Sequence, residues 1–296
     1  MFMALAMAAC LGLAGQSSAG SDGPELTVIG SRGERVQVRQ GAIGCGCNDP
    51  THGGRSTPRE VAVNERLVFL RRSTYVMIIP LENIDRLAIR RDRSSAGADA
   101  GAGVGASMGY PVDLTMIDGH FLEGRLLNRG PLLGRVAGRA VSIPLERVNS
   151  VRVGGRRDVA AELPVDPPAH RGELVVRTGS RRVLLSLSKI GFASASPCPH
   201  RAALPRLKGD SLRGTRATVF PIERMASLYP LVSSPSRLKV FMLGVKLDSG
   251  QIVPVAPTDA AGMLAVAKVG KLDALMQVGF GDVFALNFEN ERVGRR

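Results

Sequence analysis

The chain has 296 residues, 44% of them apolar and 22% charged, enough to bury two or three compact interiors. Aromatic residues make up only 4% and tryptophan is absent, so flat platforms for stacking bases or sugars are scarce and ligands that need them are disfavoured. The formal net charge of +13 is nearly all arginine beside abundant glycine and alanine, a bias that GC-rich coding also produces, so charge alone does not define a binding face.

Met1 to Gly15 is apolar or small and uncharged, and Gln16-Ser17-Ser18-Ala19-Gly20 supplies small residues before a cleavage after Ala19. This pattern predicts a signal peptide over residues 1–19, although a basic n-region is missing. The stretch is short for a membrane-spanning helix, and no later segment reaches that length without charges. A second reading takes Met7-Ala8-Ala9-Cys10 as a lipobox with lipid on Cys10. Either way the expected address is periplasmic or secreted. The whole charge then falls on the mature chain, which favours anionic headgroups or wall polymers as partners over nucleic acid.

Taken in chain order, the mature part predicts strands and turns. Leu26 to Val38 alternates about a turn at Ser31-Arg32-Gly33. Ile79-Pro80-Leu81-Glu82-Asn83-Ile84-Asp85-Arg86-Leu87 is the first copy of a motif. A Gly/Ala-rich linker follows over 94–111, with a glycine-zipper helix as the weaker reading. Leu114 to Leu126 is the clearest hairpin, with Asp118-Gly119 as its turn signal and Phe121 and Leu126 expected in one core. The motif returns as Ile143-Pro144-Leu145-Glu146-Arg147-Val148-Asn149-Ser150-Val151. A charged, Pro-rich linker (156–172) and a hairpin from Leu174 to Leu185, turning at Thr178-Gly179-Ser180, lead to the third copy, Phe220-Pro221-Ile222-Glu223-Arg224-Met225-Ala226-Ser227-Leu228. The tail predicts a hairpin about Asp248-Ser249-Gly250, one or two helices over Met263 to Val278, and a last strand from Val283 to Phe288.

The motif copies stand 64 residues (Pro80 to Pro144) and 77 residues (Pro144 to Pro221) apart, too irregular for a solenoid. Proline cannot donate to a ladder, so Pro80, Pro144 and Pro221 belong at strand ends, and Glu82, Glu146 and Glu223 open a short helical turn. The apolar residues two and five positions after each glutamate are expected to face one core. A glutamate recurring in this setting is foremost a capping or turn residue. The expected organisation is a signal peptide (1–19), barrel-like repeats over 20–93, 112–155 and 173–232, and a C-terminal β or α+β module over 233–296.

A hairpin with Asp118-Gly119 and Gly124, an apolar strand, a Pro-Leu-Glu turn and a closing strand resemble the Sm-like or SH3-like small β-barrel, found in tandem in exported bacterial proteins. The likeness covers about half of the chain in three copies and implies a mainly β fold of tandem small barrels. The RNA-binding signature of true Sm proteins is not matched. Val151-Arg152-Val153-Gly154-Gly155 is only an echo of it, so RNA binding is not implied.

Chemistry concentrates in two insertions, each after the second strand of a repeat: Cys45-Gly46-Cys47 with His52, and Cys198-Pro199-His200. In an oxidising compartment Cys198 is expected to pair with Cys45 or Cys47, leaving one thiol over. The alternative is a zinc or copper(I) site shared by these cysteines, His52 and His200. C-x-C is not the C-x-x-C arrangement of redox thiols. Gly105-Ala106-Ser107-Met108-Gly109 formally matches a nucleophile elbow but has no strand before it and Tyr110-Pro111 after it. His120 and His170 have no acid partner at a telling spacing, and Gly270-Lys271 is no phosphate loop. These readings favour a non-catalytic envelope or secreted protein that binds a protein or an anionic component through sheet edges and arginines. A metal- or thiol-dependent protein acting through Cys45, Cys47 and Cys198 is the alternative.

Overall fold

The computed structural model describes residues 23–44, 63–91, 109–154, 160–178, 181–194, 204–231 and 242–289. They are mainly β, and one order of elements recurs four times: two hairpins, a 3-10 turn, a last strand. The first copy is β1 (Glu25–Gly30), β2 (Arg35–Ile43), β3 (Leu67–Arg72), β4 (Tyr75–Pro80), the turn Leu81–Asn83 and β5 (Ile84–Ile89). The second is β6 (Tyr110–Met116), β7 (Phe121–Leu126), β8 (Leu132–Val136), β9 (Arg139–Ile143), the turn Leu145–Arg147 and β10 (Val148–Gly154). The third is β11 (Arg171–Thr178), β12 (Arg181–Ala193), a short β13 (Leu207–Gly209), β14 (Ser211–Arg213), β15 (Val219–Pro221), the turn Ile222–Arg224 and β16 (Met225–Leu231). The fourth is β17 (Met242–Leu247), β18 (Ile252–Val255), β19 (Gly262–Val269), β20 (Leu272–Gly279), the turn Phe280–Asp282 and β21 (Val283–Glu289).

The local causes are legible at each turn. Gly33 (φ 83°), Gly119 (φ 84°) and Gly250 (φ 83°) take the left-handed backbone their hairpins require. Pro80, Pro144 and Pro221 hold extended backbone (ψ 135°, 135° and 144°) and feed the chain into the 3-10 turn without spending a ladder donor. Leu81, Leu145 and Ile222 are then buried inside the turn, and the pairs Ile84 and Leu87, Val148 and Val151, Met225 and Leu228 are buried in the strand that follows. Each fully buried aliphatic side chain contributes about 1.5–3 kcal/mol. The fourth copy has Gly279 in the proline's place (ψ 146°), and Phe280, Val283 and Leu286 fill the same buried positions.

Pairing runs across neighbouring copies. β1 pairs with β10 and β2 with β8, while β6 pairs with β5 and β7 with β3. Two five-stranded orders result, β10-β1-β2-β8-β9 and β5-β6-β7-β3-β4, each taking its first hairpin from one copy and its last three strands from the other. The second half repeats the exchange as β21-β11-β12-β19-β20 and β16-β17-β18. A single bridge between Gly214 and Pro257 continues the latter to β14 and β15. β5 with β10 and β16 with β21 join the exchanged partners, and β4 with β20 joins the halves. The result is one large antiparallel sheet of 19 strands plus the separate β14-β15 pair. The mainly β expectation holds. The tandem closed barrels do not emerge, because the five-stranded orders stay open, with no described pairing between their first and last strands.

Two local expectations are corrected. Met263 to Val278 is the β19-β20 hairpin, turning at Gly270 (φ 61°), and not helix. Apolar residues fall at successive positions of both strands because both faces of the hairpin are covered, and runs such as Met263 to Ala267 carry no period to separate strand from helix. On the second face Leu264, Val266 and Leu275 pack with Leu67, Phe69, Ile78 and Leu127, covered in part by Leu163 and Val165. Phe121 is 52% exposed, and Leu122 takes the core position instead. Residues 121 and 126 differ in parity along one strand, so they cannot share a face. Asn128, fully buried, ties this region together: its Oδ1 accepts the Phe69 N–H at 2.9 Å and its Nδ2 donates to the Leu67 carbonyl at 2.9 Å.

Candidate functional site

The three motif glutamates occupy equivalent backbone positions and meet different partners. Glu82 accepts from the Arg66 guanidinium. Glu146 accepts the Tyr110 hydroxyl, and that bond holds the Glu146 carboxyl below its usual range. Burial, followed by the same carboxylate, pushes the Tyr110 phenol up to about 12. Glu223 lies with His170 and Asp210, the three donor atoms within 4.8 Å of one another. His170 Nε2 stands 3.8 Å from Asp210 Oδ2, so His170 has an acid partner that its sequence neighbourhood does not show. Asp210 is also anchored by the Ser211 hydroxyl at 3.1 Å. With Asp210 half exposed and Glu223 exposed, this is the ordinary state of a surface histidine–carboxylate pair.

The other arrangement with chemical content lies on the outer sheet face of the first half. At the crossing of β5 and β10, Arg86 stands directly opposite Arg152. The register continues the line outward on both sides: Thr27 opposite Arg152, and Thr115 opposite Arg86. Gln37 and Phe121 end the row, on β2 and β7. Residues directly opposite on antiparallel strands share a face, so two guanidinium groups flanked by two hydroxyls project from one side of the sheet. Both arginines are exposed, and neither forms an ion pair with a described residue. Like charges directly opposite are unfavourable by roughly 0.2–1 kcal/mol, and an anion between them removes that cost. The adjoining row differs: there Arg90 pairs with Asp113 at 3.3 Å and reaches Glu123 at 3.8 Å.

A cleft of about 520 Å³ opens beside β1, β2 and the β8-β9 turn. It is lined by Glu25, Arg39, Gln40 and Arg135 among others, and the lining offers no nucleophile. Cys45, Cys47, His52, Cys198 and His200 lie outside the described residues, as do the expected leader with Cys10 and residues 105–108 of the formal elbow. The described strands place the starts of both cysteine segments after equivalent strands, β2 and β12. Among the described residues no helix is long and apolar enough to cross a membrane. No protein-family model, curated protein or solved structure matches the chain. Sequence reasoning missed the Arg86–Arg152 juxtaposition because its two members belong to different copies of the motif, and only the strand exchange brings them together.

Proposed function

We propose that this chain is a non-catalytic, exported interaction protein that binds an anionic envelope component on the outer face of its first half. Four copies of a small module of the Sm-like or SH3-like kind form the scaffold, a reading supported by the recurring order of hairpin, hairpin, 3-10 turn and strand. The observation that carries the function is Arg86 opposite Arg152, with Thr27 and Thr115 beside them. Guanidinium forks match phosphate and carboxylate oxygens, and the Thr115 hydroxyl adds a donor on the same line, while the Thr27 hydroxyl donates to Gln37 Oε1 at 3.0 Å. An exported address, periplasmic or secreted, makes anionic lipid headgroups the expected class of partner, because their surface potential attracts each arginine by about 1 kcal/mol.

Co-sedimentation of the mature chain with phosphatidylglycerol-containing vesicles tests this reading. Binding is expected to weaken with salt, to be absent on zwitterionic vesicles, and to fall about thirtyfold in the double variant Arg86→Ser, Arg152→Ser. A double variant that binds as well as the parent refutes a localised face, and so does Lys246→Ala in the second half if it weakens binding as much as the double variant does. The metal- or thiol-dependent alternative through Cys45, Cys47, His52, Cys198 and His200 is separated by metal analysis with a free-thiol count. Zinc or copper near one equivalent, lost on Cys198→Ser, supports it.

A further inference from the structure

The join between the two halves has a hidden symmetry. Met77 of β4 stands three residues before Pro80, and Met276 of β20 stands three residues before Gly279, so the two methionines are equivalent positions of the repeat. They pair directly with each other, Val76 facing Gln277 and Ile78 facing Leu275 on either side. Two copies of the same edge therefore meet antiparallel about a local two-fold, the self-complementary geometry of an isologous contact. The third long copy of that edge is β9, whose equivalent residue, three before Pro144, is Val141. Among the described residues β9 pairs only with β8. The fourth, β15, is three residues long and ends in Pro221, which blunts it as an edge.

We infer that the outer edge of β9 pairs antiparallel with β9 of a second copy of this chain, centred on Val141, reproducing between molecules the contact that β4 and β20 make within one. Three features support the fit. First, β8 and β9 close over a two-residue turn, Ala137-Gly138, as β3-β4 and β19-β20 do over Ser73-Thr74 and Gly270-Lys271. Ladder alternation from the flanking pair Val136–Arg139 directs the N–H and C=O of Ala140 and Ser142 outward. In the proposed register Ala140 faces Ser142 of the second copy and Ser142 faces Ala140, so each outward donor meets an outward acceptor. Second, Arg139 falls opposite Ile143, and the two Arg139 side chains avoid each other. Third, Ala140 and Ser142 are small and exposed, while Val141 and Ile143 are partly buried and already packed on the core, so two edges meet without displacing a bulky side chain.

Sedimentation velocity of the mature chain over a concentration series tests the inference. A reversible monomer–dimer equilibrium is expected, and rising salt should strengthen it, because each copy carries +13 and screening relieves the repulsion. Ala140→Pro removes an outward N–H without touching a β8-β9 bond, and should abolish the dimer while the strand-rich circular dichroism stays unchanged. A chain that stays monomeric at every concentration overturns the inference. So does a dimer that survives Ala140→Pro, or growth beyond the dimer, which marks an open contact and not an isologous one. Should Ala140→Pro fail to fold, hydrogen exchange on the parent decides. The Ala140 and Ser142 amides should gain protection as the dimer fills, and concentration-independent exchange at both overturns the proposal.

Discussion

The first half (25–154) and the second (171–289) make the same reciprocal exchange of strands, yet they present different faces at its centre. Around the β5·β10 crossing, Leu87 and Val151 are buried beneath Arg86 and Arg152. Around the β16·β21 crossing, Leu228 and Leu286 are buried in the same way, but the outward neighbours are Ser227 and Asn287. The inward positions agree because they hold the exchange together. The outward ones are free of that constraint, so their chemistry differs between the halves, and the proposed anion binding rests on that difference.

The largest test breaks what the halves share. Leu87→Ala and Leu228→Ala each empty a fully buried site at equivalent crossings, and each is expected to cost about 2–5 kcal/mol in urea denaturation. Costs differing by more than that range would show that the two crossings are not packed alike.

A smaller effect sharpens what separates them. Replacing the facing pair in the first half, Arg86→Ser with Arg152→Ser, removes a like-charge contact and should raise stability by a few tenths of a kcal/mol at low salt, fading as salt rises. The reciprocal pair in the second half, Ser227→Arg with Asn287→Arg, should lower stability by a similar amount and confer vesicle binding on a chain that lacks the first pair. Thermal melting at two salt concentrations and co-sedimentation read both sides.

The smallest expected effect lies where the halves touch through their turns. Asp118 Oδ2 accepts the Lys271 N–H at 2.6 Å, and the His120 N–H donates to Oδ1 at 3.0 Å. These two backbone donors, the Lys271 bond first, hold the Asp118 carboxyl below its usual range. A depressed carboxyl stabilises above its ordinary range and loses that contribution as pH falls through the depressed value. The group is solvent-exposed, so only a few tenths of a kcal/mol are expected. Urea midpoints at pH 7 and pH 3 should converge slightly more in Asp118→Asn than in the parent.

Turn chemistry and strand parity made much of the fold readable from sequence. Asp118-Gly119, Ser31-Arg32-Gly33 and Asp248-Ser249-Gly250 mark hairpins because a left-handed residue is a local requirement with a local signature. The three proline motifs mark buried positions for the same reason. The fourth copy was hidden because Gly279 and Gly281 stand where the others have proline and glutamate, although the backbone they adopt is the same. The exchange itself was illegible: a turn fixes which residues face each other within a hairpin and says nothing of which hairpin lies alongside. That gap also concealed the site. Arg86 and Arg152 are 66 residues apart, and His170 and Asp210 are 40 apart, spacings that carry no periodic or motif signal.

The exchange also governs how the chain can acquire its structure. β1 has no partner in its own copy for its outer edge, so Glu25 waits until Gly154 exists beside it. Such long-range closure raises contact order and slows folding. An isolated copy would carry an unmatched hairpin and an unmatched last strand, both sticky edges. The smallest cooperative folding unit is therefore an exchanging pair of copies, and a chain that ends after the second copy should yield one competent body, whereas a chain that ends after the first should yield none.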